Sequence, residues 1–196
     1  IYFFILPRII AGGDPIITTV LASVLILAVN IPLSHGFRRQ SSMALVSSLV
    51  GLGLVVLFTP IFLYVAQISG LASEEAALLF WELNGLQIPS GILAAGIILA
   101  TVGVLDDIAI TQSEVVDELL LADPHVTRRQ LFIRAMRVGR HHIASTVNTL
   151  VLVYVGTALP IFLLFMNQSV GLIDFLNTEL IAEEIVRTLA GTSALI

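Results

Sequence analysis

The sequence predicts an all-α fold, a polytopic membrane bundle of about five transmembrane helices preceded by the tail of another. Three observations support this prediction. The 196 residues are 57% hydrophobic and only 12% charged, with a mean hydropathy of +1.02, whereas soluble domains are typically about 25% charged. Long apolar runs recur along the chain, and arginine is concentrated in alternate loops. Residues 1–196 are therefore interpreted as one transmembrane domain in a lipid bilayer, and as a fragment, because apolar sequence reaches both ends.

The spans are predicted from apolar runs of about 20 residues, the length that crosses the hydrocarbon core. Residues 1–6 are interpreted as the tail of an earlier span. Pro60 is expected to kink the second complete span, since proline removes a hydrogen bond from the helix. The predicted spans are, in order, 15–33, roughly 42–66, Ile88 or Pro89 to about Leu105, 143–166, and a fifth that begins near Leu180.

Arginine placement predicts the orientation, because cytoplasmic loops carry an excess of basic residues. Arg38 and Arg39 lie between the first and second spans. The loops on the opposite side carry glutamate and aspartate, and Arg8 is the one basic exception there. The loop between the third and fourth spans carries five more arginines: Arg128, Arg129, Arg134, Arg137 and Arg140. We therefore expect the arginine loops to lie in the cytoplasm.

Residues 122–142 are predicted to form a cytoplasmic connector. Pro124 should end the preceding helix after Ala122, and Thr127 is placed to cap a new one. Apolar residues alternate with arginines beyond it, as in an amphipathic segment that lies on a membrane surface. The alternative is a solvated connector whose arginines only set the topology.

Two adjacent aspartates, Asp106 and Asp107, follow the third span without an intervening proline or polar loop. Ionisable groups at membrane depth are costly and usually functional. Two neighbouring carboxylates in a low-dielectric site also resist losing both of their protons. The pair is therefore the first candidate for a proton relay, and helical spacing continues its acidic face through Glu114. The alternative is that both aspartates lie just past the membrane edge and are hydrated.

The fourth span begins with a polar face. His141, Ser145 and Asn148 share that face, and asparagine inside a membrane helix needs a hydrogen-bond partner. The aspartates are the predicted partners, and Arg140 would neutralise one of them. The alternative is that these polar residues only hold helices together. The pair His141 and His142 lacks a third ligand, so no metal site is predicted.

Three charged residues open the fifth span: Glu183, Glu184 and Arg187. Each glutamate lies at helical pairing distance from the arginine. A neutralised pair at the outer interface is the first interpretation, and a gate or ion path is the alternative. With Glu114 and Ser145, these are secondary site candidates.

Several functions are not supported by the sequence. No nucleophile motif, phosphate loop or dinucleotide fingerprint is present, so no enzyme activity, catalytic residue or cofactor is predicted. The net charge of −5 is unlike the basic surface that nucleic acid requires, so nucleic acid is not an expected partner.

Four stretches resemble the YibE/F-like family of membrane proteins: ILPRIIAGGDP (5–15), GVLDDIAITQSEVVDEL (103–119), RAMRVGRHHIASTVNTLVLVYVG (134–156) and AEEIVRTLAG (182–191). The resemblance implies a polytopic protein of the bacterial inner membrane with a role in transport. One departure is His141, where an acidic residue is common in the family, so the charge partner of Arg140 differs here.

These residues together predict a proton-coupled transporter or permease, with protons or a small molecule as its substrate. Asp106 and Asp107 would carry the ion. Asn148 and His141 would hydrogen-bond to them, and Arg140 would tune their charge. The alternative is a non-transporting subunit or scaffold that docks a partner through the arginine-rich connector. The sequence does not distinguish between a second copy of this chain, in a homo-oligomer, and a different membrane protein as its partner.

Overall fold

The computed structural model describes residues 1–82, 89–167 and 171–193, without the side chain of Leu172. These ranges are helical, joined by short turns. Ile88, a predicted start of the third span, lies outside the described residues. The helices are α1 (Ile5–Ile10), α2 (Pro15–His35), α3 (Arg39–Val65), α4 (Glu74–Glu82), α5 (Pro89–Ala122), α6 (Arg128–Thr157), α7 (Leu159–Asn167), α8 (Leu172–Leu176) and α9 (Glu179–Ser193).

Three helices, α2, α3 and α5, are each long and apolar enough to cross a membrane. Helices α6 and α7 pass the same test as a pair bent by 49°, and Pro160 lies in the first turn of α7, where it cannot donate the backbone hydrogen bond of a continuous helix. The all-α membrane-bundle prediction is therefore confirmed, with three or four of the five expected spans. The fifth corresponds to α9, which has 15 described residues, fewer than a span needs; residues 194–196 lie outside the description.

Helix α5 lies at the centre of the bundle and contributes to both hydrophobic clusters. The larger cluster joins α5 to α2 and α3 through buried residues such as Leu27, Val55 and Ile98. The second joins the start of α5 to the end of α3 and to α9, with Ile97 and Ala190 almost fully buried. Because membrane helices associate by close van der Waals packing, this arrangement fixes α5 against three neighbours.

The turn between α5 and α6 follows its sequence signals. Helix α5 ends at Ala122, before Pro124, and Thr127 caps α6. The Thr127 hydroxyl accepts from the Gln130 backbone N–H, and the Gln130 side chain accepts from the Thr127 N–H, each over 3.3 Å. Helix α6 then continues unbroken to Thr157. The helical part of the predicted connector is thus continuous with the fourth span.

Replacing Thr127 with alanine removes this capping box. We expect Thr127→Ala to lower the free energy of unfolding by about 1 kcal/mol, because the Gln130 backbone N–H at the start of α6 loses the hydroxyl that accepts from it. Circular dichroism during denaturation in detergent measures the change. Thr127→Ser keeps the hydroxyl and should unfold like the wild type; an equal loss in both variants would contradict the role of the cap.

The two ends of the bundle differ in charge. At the arginine-rich end, α2 and α5 finish and α3 and α6 begin. At the other, which we call the acidic end, the turn after α3 packs against the starts of α5 and α9. There the Glu179 carboxylate accepts from the Ser69 N–H at 2.5 Å, the Ser69 hydroxyl at 2.7 Å and the Gly70 N–H at 3.0 Å. Glu179 therefore anchors α9 to that turn.

Candidate functional site

The aspartate pair lies within the length of the spanning helices. Leu105 is buried against Gly51, so closely that a Cβ on this glycine would lie 2.5 Å from Leu105 Cδ2. Gly51 is 12 residues after Arg39, the first residue of α3, or about 18 Å along a helix that rises 1.5 Å per residue. Asp106, the next residue of α5, is therefore level with the middle of α3.

Asp106 is held by a residue of α2. Asn30 Nδ2 donates to Asp106 Oδ2 at 2.5 Å, and the Ser34 hydroxyl donates to Asn30 Oδ1 at 3.5 Å. The other carboxylate oxygen, Asp106 Oδ1, is buried and has no hydrogen-bond partner among the described residues. A buried oxygen without a partner costs free energy, so Oδ1 is the atom of this site where a proton or a donor can add.

Asp107 faces α6. His142 Nε2 lies 3.9 Å from Asp107 Oδ2, which is too long for a hydrogen bond but close enough for attraction when the imidazole is protonated. The Asp107 side chain is 70% exposed and that of His142 is 30% exposed, so the protein encloses this pair less than it encloses Asp106 Oδ1, which is buried.

Close packing sets the spacing of α5 and α6 beside this pair. Gly139 is buried one turn before His142, and a Cβ on it would lie 2.7 Å from Gln112 Oε1. The Gln112 amide donates to the Ala135 carbonyl oxygen at 3.0 Å. This contact fixes α6 against α5 between the Asp107–His142 pair and the arginine-rich end, five residues beyond Asp107 along α5.

The predicted relay residues are only partly brought together. Arg140, His141, Ser145 and Asn148 are exposed on α6, and in the described ranges none of their side chains bonds to either aspartate. The partners found there are Asn30 and His142, one on another helix and one on the neighbouring face of α6.

Sequence reasoning missed Asn30. A signal was present, because Asn30 is the one asparagine in the apolar run 15–33, and such a residue needs a partner within a membrane helix.

A polar cavity opens near this site at the arginine-rich end. Its volume is about 440 Å³. Ser34, which bonds to Asn30, is one of its lining residues, and Glu114 of α5 is another. Other polar lining residues are His35, Arg38, Gln40, Ser41 and Ser113. Two hydrogen bonds, from Ser34 to Asn30 and from Asn30 to Asp106, thus connect the wall of this cavity to the carboxylate.

The charged group of α9 forms a second, separate cluster. Arg187 Nε lies 3.8 Å from Glu184 Oε2, in line with their helical spacing, and Glu183 lies beside them. Helix α9 packs against α5 five residues before Asp106, because a Cβ on Gly191 would lie 3.3 Å from Thr101 Oγ1.

Within residues 1–82, 89–167 and 171–193, no group of three His, Cys, Asp or Glu residues is arranged to hold a metal ion.

Comparison with known proteins identifies the family. A comparison with curated proteins gives no match, and a comparison with solved structures gives none either. The family model for YibE/F-like proteins matches residues 1–196, the whole chain. The chain therefore belongs to the YibE/F-like protein family.

Proposed function

We propose that this protein is a proton-coupled transporter of the bacterial inner membrane, and that Asp106 binds and releases the proton. The observation that supports the proposal is the state of the Asp106 carboxylate: one oxygen is held by Asn30, while the other is buried without a partner. Ionisable groups at such a depth mark ion pathways more often than structural contacts. The arginine-rich end would face the cytoplasm.

Proton binding at Asp106 would change the contact between α2 and α5. A proton added to Oδ1 makes the carboxyl neutral, and the Asn30 bond to Oδ2 then loses its charge-assisted strength. Loss of the proton restores the charge and the stronger bond. The two protonation states thus differ in how firmly α2 is held to α5, which is the differential contact that a transport cycle needs.

The polar cavity would supply the proton. Water in a cavity lined by Ser34, His35 and Glu114 can deliver protons along a route that ends at Asn30 and Asp106. The Asp107–His142 pair, at 3.9 Å, would keep a second titratable charge beside it. In this scheme Asp106 is the carrier and Asp107 adjusts the local field.

Proton flux tests the proposal directly. The full-length protein is reconstituted into liposomes that contain a pH-sensitive dye, and a pH gradient is imposed with a membrane potential clamped by potassium and valinomycin. We expect faster internal pH change than in empty liposomes. Rates equal to those of empty liposomes, both with and without 2-phenylethylammonium, would contradict the proposal.

Asn30 and Asn148 form a matched pair of test sites. We expect Asn30→Leu to slow proton flux by at least about tenfold, because Asp106 Oδ2 loses its charge-assisted hydrogen bond. Asn148→Leu removes the same amide from an exposed position on α6 and should leave the flux close to that of the wild type. The liposome assay measures both. A larger loss in Asn148→Leu than in Asn30→Leu would mean that another arrangement positions the carboxylate.

A second candidate function is a scaffold that docks an acidic partner. The observation in its favour is the exposure of Arg128, Arg129 and Arg137 on the first turns of α6; Arg134 is instead paired with Asp123 at 3.1 Å. This function requires that charge reversal of the exposed arginines releases the partner in a pull-down, and that aspartate substitutions in α5 have no effect.

A further inference from the structure

A cavity of about 320 Å³ lies at the acidic end, between α4, α5 and α9. Pockets for small molecules begin at about this size. Much of its wall is apolar and comes from α4 and α5. The side chains with apolar surface are Leu79, Phe80, Ile92 and Leu93. Its charged lining residues are all on α9: Glu183, Glu184 and Arg187.

The charged side chains that line the cavity do not cancel one another. Two carboxylates and one guanidinium leave a net charge of −1. Glu184 and Arg187 offset each other at 3.8 Å. Glu179, one turn before Glu183, is already bonded to Ser69 and Gly70. Glu183 is therefore the carboxyl group of this wall that has no salt-bridge partner among the described residues.

Glu183 also has an unmet hydrogen-bonding atom. Glu183 Oε1 is buried and has no hydrogen-bond partner in the described part of the chain, and the same holds for Glu184 Oε2 and Arg187 Nε beside it. Burying a charged acceptor without a donor is costly. The cavity thus contains an apolar wall, one excess negative charge and a buried acceptor.

We propose that this cavity binds a small amphipathic monocation, an organic ammonium with an aliphatic or aromatic body. The ammonium donates to Glu183 Oε1 and neutralises the excess charge, and the body packs against Phe80, Ile92 and Leu93. The Glu184–Arg187 pair, at 3.8 Å, has no net charge and leaves the extra carboxyl group of Glu183 to the ammonium. That the ammonium is the substrate of a carrier rests on the proposed function. That an ammonium binds here rests on the cavity and its lining residues alone.

The fluorescence of a tryptophan beside the cavity can report binding. Trp81 is the single tryptophan of the chain, and its ring lies 6.0 Å from that of Phe80, a wall residue. The full-length protein in lipid nanodiscs is titrated with 2-phenylethylammonium while tryptophan fluorescence is recorded. We expect a saturable change, and a much weaker response to 2-phenylethanol, which has the same body without the charge.

Two pairs of variants test the site. Glu183→Gln should weaken ammonium binding by at least about tenfold, whereas Glu75→Gln, an exposed carboxylate of α4, should not. Gly96→Leu should block binding because Gly96 lines the cavity. The variant Gly103→Leu, changed on the same helix at a residue that does not line the cavity, should bind the ammonium normally. A Cβ at either glycine meets no atom within 4 Å, so neither change disturbs the backbone.

The outcomes separate the binding site from the transport function. Equal affinity in Glu183→Gln and the wild type, or an equal response to 2-phenylethanol, would overturn the assignment while leaving the proton-flux result intact. If the ammonium binds as described but an ammonium gradient drives no proton movement in liposomes, the binding site stands and its role as a carrier's substrate site is wrong.

Discussion

Asp106→Asn is expected to abolish proton-dependent activity while the protein still inserts and folds. The asparagine side chain has the same shape, and its carbonyl oxygen can still accept from Asn30 Nδ2, which bonds to Asp106 Oδ2 at 2.5 Å in the wild type. It cannot bind and release a proton at the position of the buried oxygen, Oδ1. The α2–α5 contact is therefore preserved, and only the titrating group is lost.

Infrared difference spectroscopy after a pH jump measures this loss without knowledge of the substrate. A protonated carboxyl gives a carbonyl band that a carboxylate lacks, and the band assigned to Asp106 should disappear in Asp106→Asn, together with the liposome flux. Asp117→Asn is the control, because Asp117 is on the same helix, three turns further, where Gln40 donates to it. A normal carboxyl band and a normal flux in Asp106→Asn would refute the proposed role.

Asp107→Asn should have a smaller effect than Asp106→Asn. The Asp107 side chain is 70% exposed, and its histidine partner is 3.9 Å away, so no hydrogen bond from the described residues holds its carboxylate, whereas Asn30 holds that of Asp106. Comparison of the two variants in the flux assay separates the carrier from its neighbour.

Gly70→Ala is expected to lower the free energy of unfolding by more than about 2 kcal/mol. Gly70 has φ = +79°, and a Cβ on it would lie 2.7 Å from the carbonyl carbon and oxygen of Pro89 and 2.8 Å from the Ser90 nitrogen. These are backbone atoms, so the start of α5 would have to move. The Gly70 N–H also donates to Glu179 at 3.0 Å, and the shift would disturb the attachment of α9.

Gly36→Ala separates the cost of backbone strain from the cost of the close approach to α5. Gly36 also has a positive φ, +76°, but a Cβ there meets no atom within 4 Å. It should lose only the backbone strain of an alanine at φ = +76° and ψ = 173°, about 1–3 kcal/mol, and so less than Gly70→Ala. Thermal unfolding in detergent, followed by circular dichroism, measures both variants. Equal losses would contradict the close approach of Gly70 to α5.

Local signals predicted the helices well because they depend on neighbouring residues alone. Pro124 and Thr127 fix the end of α5 and the start of α6 through missing and satisfied backbone hydrogen bonds, and both were predicted. The bend between α6 and α7 was not, although Pro160 lies inside the predicted span 143–166 and provides the same kind of signal. The start of the fifth predicted span, near Leu180, lies within one residue of the start of α9 at Glu179.

The partners of Asp106 could not be predicted from the sequence for a different reason. Helical periodicity shows that His141, Ser145 and Asn148 share a face, but it does not show which helix that face meets. In a bilayer, lipid-facing and helix-facing positions are both apolar, so the pattern does not mark the inside of the bundle. The neighbours of α5 follow from close contacts such as Gly51 with Leu105, which the sequence does not make visible.

The length of α5 beyond the aspartates has a mechanical consequence. From Asp106 the helix continues for 16 residues to Ala122, about 24 Å, and the Arg134–Asp123 ion pair ties its far tip to α6. Gln40 also bonds this segment to the start of α3 at Asp117. A tilt of α5 about Asp106 by about 5° would displace its tip by about 2 Å over this length, and these contacts would pass the displacement on to the starts of α3 and α6 at the arginine-rich end.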